Sequence, residues 1–424
     1  MADFARSAHP GVQAQLDRLS KTSPLGDRLG VERIAAVLER LGRPQDRLPP
    51  ILHVAGTNGK GSTVAFLRAA IEAEGLAAHV FTSPHLVRFN ERVRVAGRLI
   101  DDEPLAALLT EVISAGAGIE PSFFEVATAV AILAFSRTPA DACILEVGLG
   151  GRLDATNVIE RPAACGIASI GLDHQAMLGD TLAAIAAEKA AIAKRGVPLV
   201  SLGQPAETES AIIRVAEAAG APLLLEGRDW ELDPTLVPSL PGLHQVRNAN
   251  LAWQMLAAQR DVRVSRGAFG RALASARWPA RMQLLGTGPL TDMLPGRRVW
   301  LDGGHNHEAS VAIAKLMEPR APFDLIFALL SNRRISEVLD PLAPLVRLAQ
   351  TVPIPGQECH DPRDIAAFAQ SRQMPRHCYP AFSIEQAMER FAGAYADGAA
   401  EDVLIFGSLY LAGEVLAANG ELPD

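Results

Sequence analysis

The residues in this chain best placed to do chemistry are Lys60, Ser83, Glu146 and His174, each of which closes or follows an apolar run. Lys60 lies in Ile51-Leu52-His53-Val54-Ala55-Gly56-Thr57-Asn58-Gly59-Lys60-Gly61-Ser62. An apolar stretch runs there into a glycine-rich turn, and Val64, Leu67, Ala70 and Ile71 recur behind it at helical spacing. Strand, glycine turn and helix in that order make a phosphate cradle. Glycines let the backbone approach an anion, and the first N–H groups of the helix point at it. Lys60 would neutralise phosphate charge, and Ser62 offers a hydroxyl to Mg²⁺. The spacing departs from the usual P-loop: two residues separate Gly56 from Gly59, and Gly61 stands between Lys60 and Ser62. A purely structural left-handed turn after a strand has the same composition.

The other candidates share one placement. Ala77–Thr82 reads as a strand that ends in Ser83-Pro84-His85 and a polar loop through Arg94. Ala142-Cys143-Ile144-Leu145-Glu146-Val147 is an apolar strand with an acid near its end. A charge is rare there unless paired or metal-bound, and in nucleotide-binding sheets an acid at such an end holds Mg²⁺. The glycines of Gly148–Gly151 are a poor match to a dinucleotide fingerprint, which is set aside. Gly166–Ile170 reads as a strand leading to Gly171-Leu172-Asp173-His174. A lone histidine is more often a loop residue, but its position past a strand end matches Ser83 and Glu146. Glu125 opens an apolar helix after Ser122-Phe123-Phe124 and is either a capping carboxylate or a ligand contact. Glu188 and Lys189, in a helix from Thr181 to Lys194, read alone as solvated charges. His305 and His307 have the spacing of a metal pair that nothing nearby supports.

These residues need sheets to carry them. Strands and helices alternate along the chain, which implies mostly parallel α/β sheets. Further strands are read at 198–202 and 222–225, and helices at 102–114, 207–219 and 244–259. Trp278-Pro279 and Gly286-Thr287-Gly288-Pro289 break the pattern, placing a linker at 285–297 between a first domain, 1–284, and a second, 298–424. The second reads as strands at 298–301, 324–330, 350–354 and 403–406, with helices at 308–318, 335–346, 362–370 and 383–396. A length of 424 residues suits two or three domains, and 49% apolar residues suffice for large cores. A net charge of −8 argues against nucleic acid and against an anionic membrane surface. No apolar run is long enough to span a bilayer, and the N-terminus lacks a signal-peptide core. Cys143, Cys165, Cys359 and Cys378 are scattered, which points to reduced thiols and a cytoplasmic setting.

Taken together these stretches resemble the folylpolyglutamate synthase/dihydrofolate synthase family, relatives of the muramyl-peptide ligases. The resemblance rests on His53–Ser62, Ser83-Pro84-His85-Leu86, Leu145–Asn157 and Ser169–His174, and covers almost the whole chain. It implies a P-loop, Mur-ligase-like central domain with a smaller Rossmann-like C-terminal domain. By resemblance, ATP contacts are Thr57, Asn58, Gly59, Lys60, Gly61, Ser62, Asn248, Arg281 and Asp302. Ser83, Glu146 and His174 match ligands of Mg²⁺, of which two ions are expected. Lys189 matches a lysine that is carbamylated, reversing its charge. Ser122, Phe123, Phe124, Glu125, Leu153, Asp154 and Ala155 match the pteroate segments, and His305 and Ser408 the glutamate side. Gly304 and His307 stand where the family usually has Ala and Pro, Gln175 where Thr is common, and Ala191 where Gly is usual.

The implied reaction is ATP-dependent amide formation through an acyl phosphate, with ATP, L-glutamate and dihydropteroate or a reduced folate as small-molecule partners and the enzyme as a monomer. Lys60, Lys189 and His305 are the expected catalytic residues. A muramyl-peptide-type ligase on a UDP-sugar is the alternative within ligases, and an ATP-gated binding protein is the alternative outside them.

Overall fold

The computed structural model describes residues 5–22, 29–373, 375, 377–393 and 401–424. It falls into two compact units, Met1–Ser239 and Leu243–Arg277 with Asp424, and Leu240–Gly242 with Trp278–Pro423.

The first unit carries eight strands: β1 (Ile51–Ala55), β2 (Ala78–Phe81), β3 (Val93–Val95), β4 (Arg98–Leu99), β5 (Ala142–Glu146), β6 (Ala164–Ile167), β7 (Leu199–Ser201) and β8 (Leu223–Leu225). Their order is β4-β3-β2-β5-β1-β6-β7-β8. Every residue of β1 and β5 is buried, as near-continuous apolar runs in a parallel sheet require. β1 lies between β5 and β6 and is parallel to both, so the chain crosses from one side of β1 to the other. The carboxyl ends of strands at such a crossing are where open α/β sheets bind ligands.

Two local expectations shift. The segment read as loop through Arg94 turns back as β3, antiparallel to β2, because Val93 and Val95 alternate with Arg94 at strand period. The strand placed at Gly166–Ile170 is displaced to Ala164–Ile167, and Ser169 beyond it is used by the glycine turn instead.

The second unit has β9 (Gln283–Leu284), β10 (Val299–Leu301), β11 (Phe323–Phe327), β12 (Val346–Thr351), β13 (His377–Pro380) and β14 (Val403–Phe406), in the order β13-β12-β11-β14-β10-β9. All pairs are parallel except β9 with β10. The division therefore falls after Arg277, ahead of the stretch 285–297 read as a linker. That stretch is packed: β9 pairs with β10, Leu285, Leu290 and Leu294 are buried, and Asn419 Oδ1 accepts the Leu290 N–H at 3.1 Å. The helix expected over 335–346 stops at Leu339, because Pro341 and Pro344 cannot continue it. Ile384–Gly393 is helical, while residues 394–396 of the expected helix lie outside the described residues. Among the described residues no helix is long and apolar enough to cross a membrane.

Candidate active site

The glycine turn sits at the carboxyl end of β1 and opens the Lys60–Ala73 helix. Gly59 caps that helix at φ 90°, a left-handed conformation that glycine takes without strain. A β-carbon there would collide with Asn248 Oδ1, so the turn and the Leu243–Ala257 helix touch through the missing side chain. Asn248 is buried and donates through Nδ2 to Gln245 Oε1 at 3.1 Å. The Thr57 and Asn58 N–H groups donate to Ser169 O at 2.7 and 3.1 Å, tying the turn to the segment after β6. Thr57 Oγ1 and Gly171 exchange hydrogen bonds of 3.2 and 3.1 Å. The Lys60 ammonium folds back over the turn, donating to Gly56 O at 3.1 Å and Thr57 O at 3.3 Å. Gly61 and Ser62 are buried in the helix's first turn.

Lys189 is brought into the same region. It lies in the Leu182–Ala190 helix and is 4% exposed, so it is no solvated surface charge. Burial first, and the charge of Lys60 second, lower its pKa to about 7, with Asp173 and Asp154 acting in the opposite sense. The Gly148–Ala155 loop lies on this helix: a β-carbon on Gly151 would come within 2.6 Å of Glu188 O and 2.8 Å of Lys189 O. Arg152 N–H donates to Glu188 O at 2.9 Å, and its guanidinium pairs with the Glu188 carboxylate at 3.0 Å.

The three expected metal ligands are less uniform. Glu146, buried at the end of β5, accepts the Ser83 N–H through Oε2 at 3.3 Å, joining the ends of β5 and β2. His174 is about a third exposed; Asp173 Oδ1 accepts its backbone N–H at 2.7 Å and lies 3.7 Å from its ring Nε2. Among the described residues no three His, Cys, Asp or Glu side chains gather as a metal cluster. This donor set suits Mg²⁺, which takes one or two carboxylates and fills its shell from water and substrate phosphates. A buried carboxylate next to a hydroxyl residue at a strand end is a fit for that ion.

Ser122 caps the Phe123–Ser136 helix, and Glu125 closes the capping box: Ser122 N–H donates to Glu125 Oε2 at 2.7 Å. Capping and a ligand role do not exclude one another here, because Glu125 Oε1 is buried with no hydrogen-bond partner among the described residues. The Phe124 ring occupies the space a side chain on Gly148 would need. Phe123 meets Phe89 edge-on at 5.8 Å, with the Arg92 guanidinium 5.5 Å from the Phe123 ring. Asp154, expected at the pteroate, turns inward. Its Oδ2 accepts from Gly148 N and Leu149 N at 3.1 and 2.8 Å, and its Oδ1 from Thr156 N at 2.9 Å. Burial pushes its pKa up, against those hydrogen bonds. Sequence reading missed the N-terminal contribution: Arg33 Nε donates to Glu125 Oε2 at 3.0 Å, and Gly30 N–H donates to Leu153 O at 3.2 Å.

In the second unit, Asp302 follows β10, is buried, and accepts from Gly304 N and Met282 N at 2.8 Å each. Burial raises its pKa, and the nearby Arg281 charge lowers it. Arg281 stands between Ala280 and Met282, both at positive φ (54° and 43°), an uncommon conformation for residues with a β-carbon. Its Nη1 donates to Ala280 O at 2.9 Å. His305 and His307 part company: the Nδ1 of His305 contacts Gly303 O and that of His307 contacts Glu337 O, each at 3.1 Å. Ser408 is buried and caps the Leu409–Asn419 helix, its Oγ accepting from Tyr410 N at 3.1 Å. Gly304, where the resemblance expects Ala, lies against Phe406: a β-carbon would reach 2.7 Å from the ring.

A P-loop-bearing α/β unit followed by a smaller α/β unit is the architecture of the Mur-ligase-like, ATP-dependent ligases. A family model described as dihydrofolate synthetase, C-terminal domain, matches residues 295–418. The dihydrofolate synthase/folylpolyglutamate synthase of Escherichia coli is 33% identical over 404 residues, covering 92% of this chain and 90% of that protein. The E. coli FolC structure in complex with DHPP and ADP superposes with a TM-score of 0.83 at 31% identity, over 97% of each chain. The bifunctional folylpolyglutamate synthase/dihydrofolate synthase of Yersinia pestis, complexed with AMPPNP and Mn ion, gives 0.84 at 28% identity, over 98% of this chain and 99% of that one. A probable bifunctional folylpolyglutamate synthase/dihydropteroate synthase of Halobacterium salinarum is 36% identical over 330 residues, and the match spans 38% of that longer protein. The chain belongs to the folylpolyglutamate synthase/dihydrofolate synthase family.

Proposed function

We propose that this chain joins L-glutamate to dihydropteroate, to a reduced folate, or to both, at the expense of ATP. The observation that carries this reading is the glycine turn at the carboxyl end of β1, with Lys60 folded over it and the buried carboxylate of Glu146 at the end of the neighbouring β5. Backbone N–H groups and a lysine at a helix start suit phosphate, and an acid at the neighbouring strand end suits the metal ion that accompanies it.

The turn's N–H groups and Lys60 take the ATP phosphates, with Lys60 exchanging its contacts to Gly56 O and Thr57 O for phosphate oxygens. By the family resemblance, Asn248, Arg281 and Asp302 are the further candidates for nucleotide contacts. Glu146, Ser83 and His174 would hold Mg²⁺, two ions in all, whose charge offsets that of phosphates and carboxylate as they approach. Lys189, half neutral near pH 7, adds its free amine to CO₂: an N–C bond forms, one proton leaves the nitrogen to solvent, and the neutral amine becomes a carbamate anion.

The pteroate binds along Ser122–Glu125 and Leu153–Ala155, with Asp154 shaping its segment from within. Its carboxylate attacks the γ-phosphorus, and the bond to the ADP oxygen breaks. The glutamate amine, presented by His305 and Ser408, then attacks the acyl carbon, phosphate leaves with the C–O bond pair, and the proton lost by the nitrogen goes with the phosphate or to solvent. No side-chain nucleophile is required. Lys60 and Arg281 counter the negative charge that develops during phosphoryl transfer. The reading sets the enzyme in the cytoplasm, where its four free cysteines stay reduced.

The deciding experiment is ADP release with L-glutamate, comparing dihydropteroate with tetrahydrofolate as acceptor. Release that needs both glutamate and a pterin carboxylate supports the proposal. Release that needs neither, or that follows a UDP-sugar substrate, refutes it.

A further inference from the structure

Two motifs that the sequence presents as separate are joined by a buried chain of side chains. His53 lies in the middle of β1, three residues before the glycine turn, and is wholly buried. Its Nε2 is 2.8 Å from Thr156 Oγ1. Thr156 Oγ1 is in turn 2.5 Å from Asp154 Oδ1, and Asp154 Oδ2 takes the N–H groups of Gly148 and Leu149. The loop so held is the one whose Gly151 lies on the backbone of Lys189.

The direction of these bonds is fixed by elimination. Asp154 accepts three backbone N–H groups on its two oxygens, the pattern that suits an ionised carboxylate, and such a group only accepts, so the Thr156 hydroxyl donates to it. The hydroxyl has one proton, so it accepts from His53, which must carry its proton on Nε2. His53 Nδ1 is then a bare acceptor, and it has no hydrogen-bond partner among the described residues. Burial first, and the Lys194 charge second, lower the His53 pKa to about 3, so the ring stays neutral in this arrangement. A histidine in a strand of otherwise apolar residues is costly unless its donor is used. Here the donor ends on the carboxylate that organises the Gly148–Ala155 loop.

We propose that His53 and Thr156 are positioning residues, a one-way hydrogen-bond chain from β1 to Asp154 that sets the Gly148–Ala155 loop and Lys189 in register with the glycine turn. Neither touches substrate. Their effect passes through Asp154 and falls on the step that needs Lys60 and Lys189 aligned, so it alters kcat and leaves the KM for ATP unchanged.

The proposal rests on the ligase reading only for its kinetic half. Nitrogen-15 NMR of histidine-labelled protein reads the other half without any activity. His53 should be a neutral Nε2–H tautomer that does not titrate between about pH 5 and 8, and its Nε2 signal should shift in Thr156→Val. An Nδ1–H tautomer, or titration in that range, overturns the chain whatever the enzyme's reaction. Kinetically, Thr156→Val should lose about 10- to 100-fold in kcat, the scale of a small misplacement in an active site. Thr156→Ser, which keeps the hydroxyl, should recover most of it. His53→Leu should resemble Thr156→Val, His53→Gln should recover in part by restoring a donor near Nε2, and the Leu/Val double variant should be no worse than either single one. Unchanged kcat in a folded Thr156→Val enzyme, or fully additive losses, would refute the coupling. Wild-type protein with the expected tautomer but no glutamate-dependent turnover would instead count against the ligase assignment alone.

Discussion

Lys189 gives the sharpest test of how this site manages charge. An ordinary lysine with a pKa of 10.5 would be a free amine in only about 1 molecule in 3,000 at pH 7. Burial, reinforced by Lys60, brings Lys189 to about 7, where roughly half is free amine. Addition to CO₂ requires that amine, so the fold raises the reactive fraction by about three orders of magnitude. The sign is clear: the amine predominates above pH 7 and is lost as the pH falls below it. Glutamate-dependent ADP release should therefore drop in CO₂-stripped buffer, return with bicarbonate, and need more bicarbonate at pH 6 than at pH 8. Lys189→Ala should lose at least about 100-fold, comparable to removing a key electrostatic group, and regain part with added short carboxylic acids. Steady-state ADP release with and without bicarbonate is the assay. Full activity of Lys189→Ala with no added acid would refute the carbamate. So would a wild-type rate indifferent to CO₂ alongside an inert Lys189→Ala that carboxylic acids do not restore; there the lysine would act as a cation.

Lys60→Ala and Glu146→Ala should each abolish glutamate-dependent ADP release while leaving the circular dichroism spectrum unchanged; wild-type turnover in either would sink the assignment of the nucleotide and metal contacts. Gly59→Ala forces a β-carbon into Asn248 and into a left-handed backbone, a strain of about 1–2 kcal/mol, and should raise the KM for ATP as well as lower the Tm. Arg33→Met leaves the buried Glu125 carboxylate without its guanidinium. Because Arg33 is itself a quarter exposed, the loss in stability should be about 1–2 kcal/mol, below that of a fully buried pair, with a raised KM for the pteroate and an unchanged KM for ATP. A pteroate KM equal to wild type would place Arg33 outside the substrate site.

The readable parts of the sequence were those in which chemistry and spacing are local. The glycine turn, Ser83 and Glu146 each stand within a few residues of the strand that carries them, so their positions at carboxyl ends followed from the strands alone. Arg33 was not readable, because its partner Glu125 is 92 residues away and helical periodicity says nothing about such pairs. Lys189 looked like one of two solvated charges. Its burial depends on the Gly148–Ala155 loop folding over its helix, a tertiary fact that only the resemblance hinted at. The supposed linker misled for a physical reason. Its Gly and Pro residues are loop-forming, yet Leu285, Leu290 and Leu294 among them are core residues, and Asn419, more than a hundred positions on, accepts the Leu290 N–H. Ser169 illustrates the same point on a smaller scale: its backbone carbonyl, not a strand partner, receives the N–H groups of Thr57 and Asn58.

Hydrogen-bond capacity separates the residues that shape this site from those free to meet a ligand. Asp154 and Glu125 are both buried acids in the segments matched to pteroate, and sequence gives no reason to rank them. Asp154 spends both oxygens on its own loop, so replacing it would disturb the loop before it disturbed a ligand. Glu125 spends Oε2 on Ser122 and Arg33 and keeps Oε1 unpartnered among the described residues. A buried acceptor left unmatched costs about 1–3 kcal/mol, and a substrate N–H that reached it would recover that cost. Lys60 follows the same logic from the donor side. Its contacts to Gly56 O and Thr57 O, at 3.1 and 3.3 Å, are at the long end for a charged donor and can be exchanged for phosphate oxygens. Residues of this second kind are the ones on which specificity for the acceptor should turn, and Glu125 with Arg33 behind it is the pair to vary first.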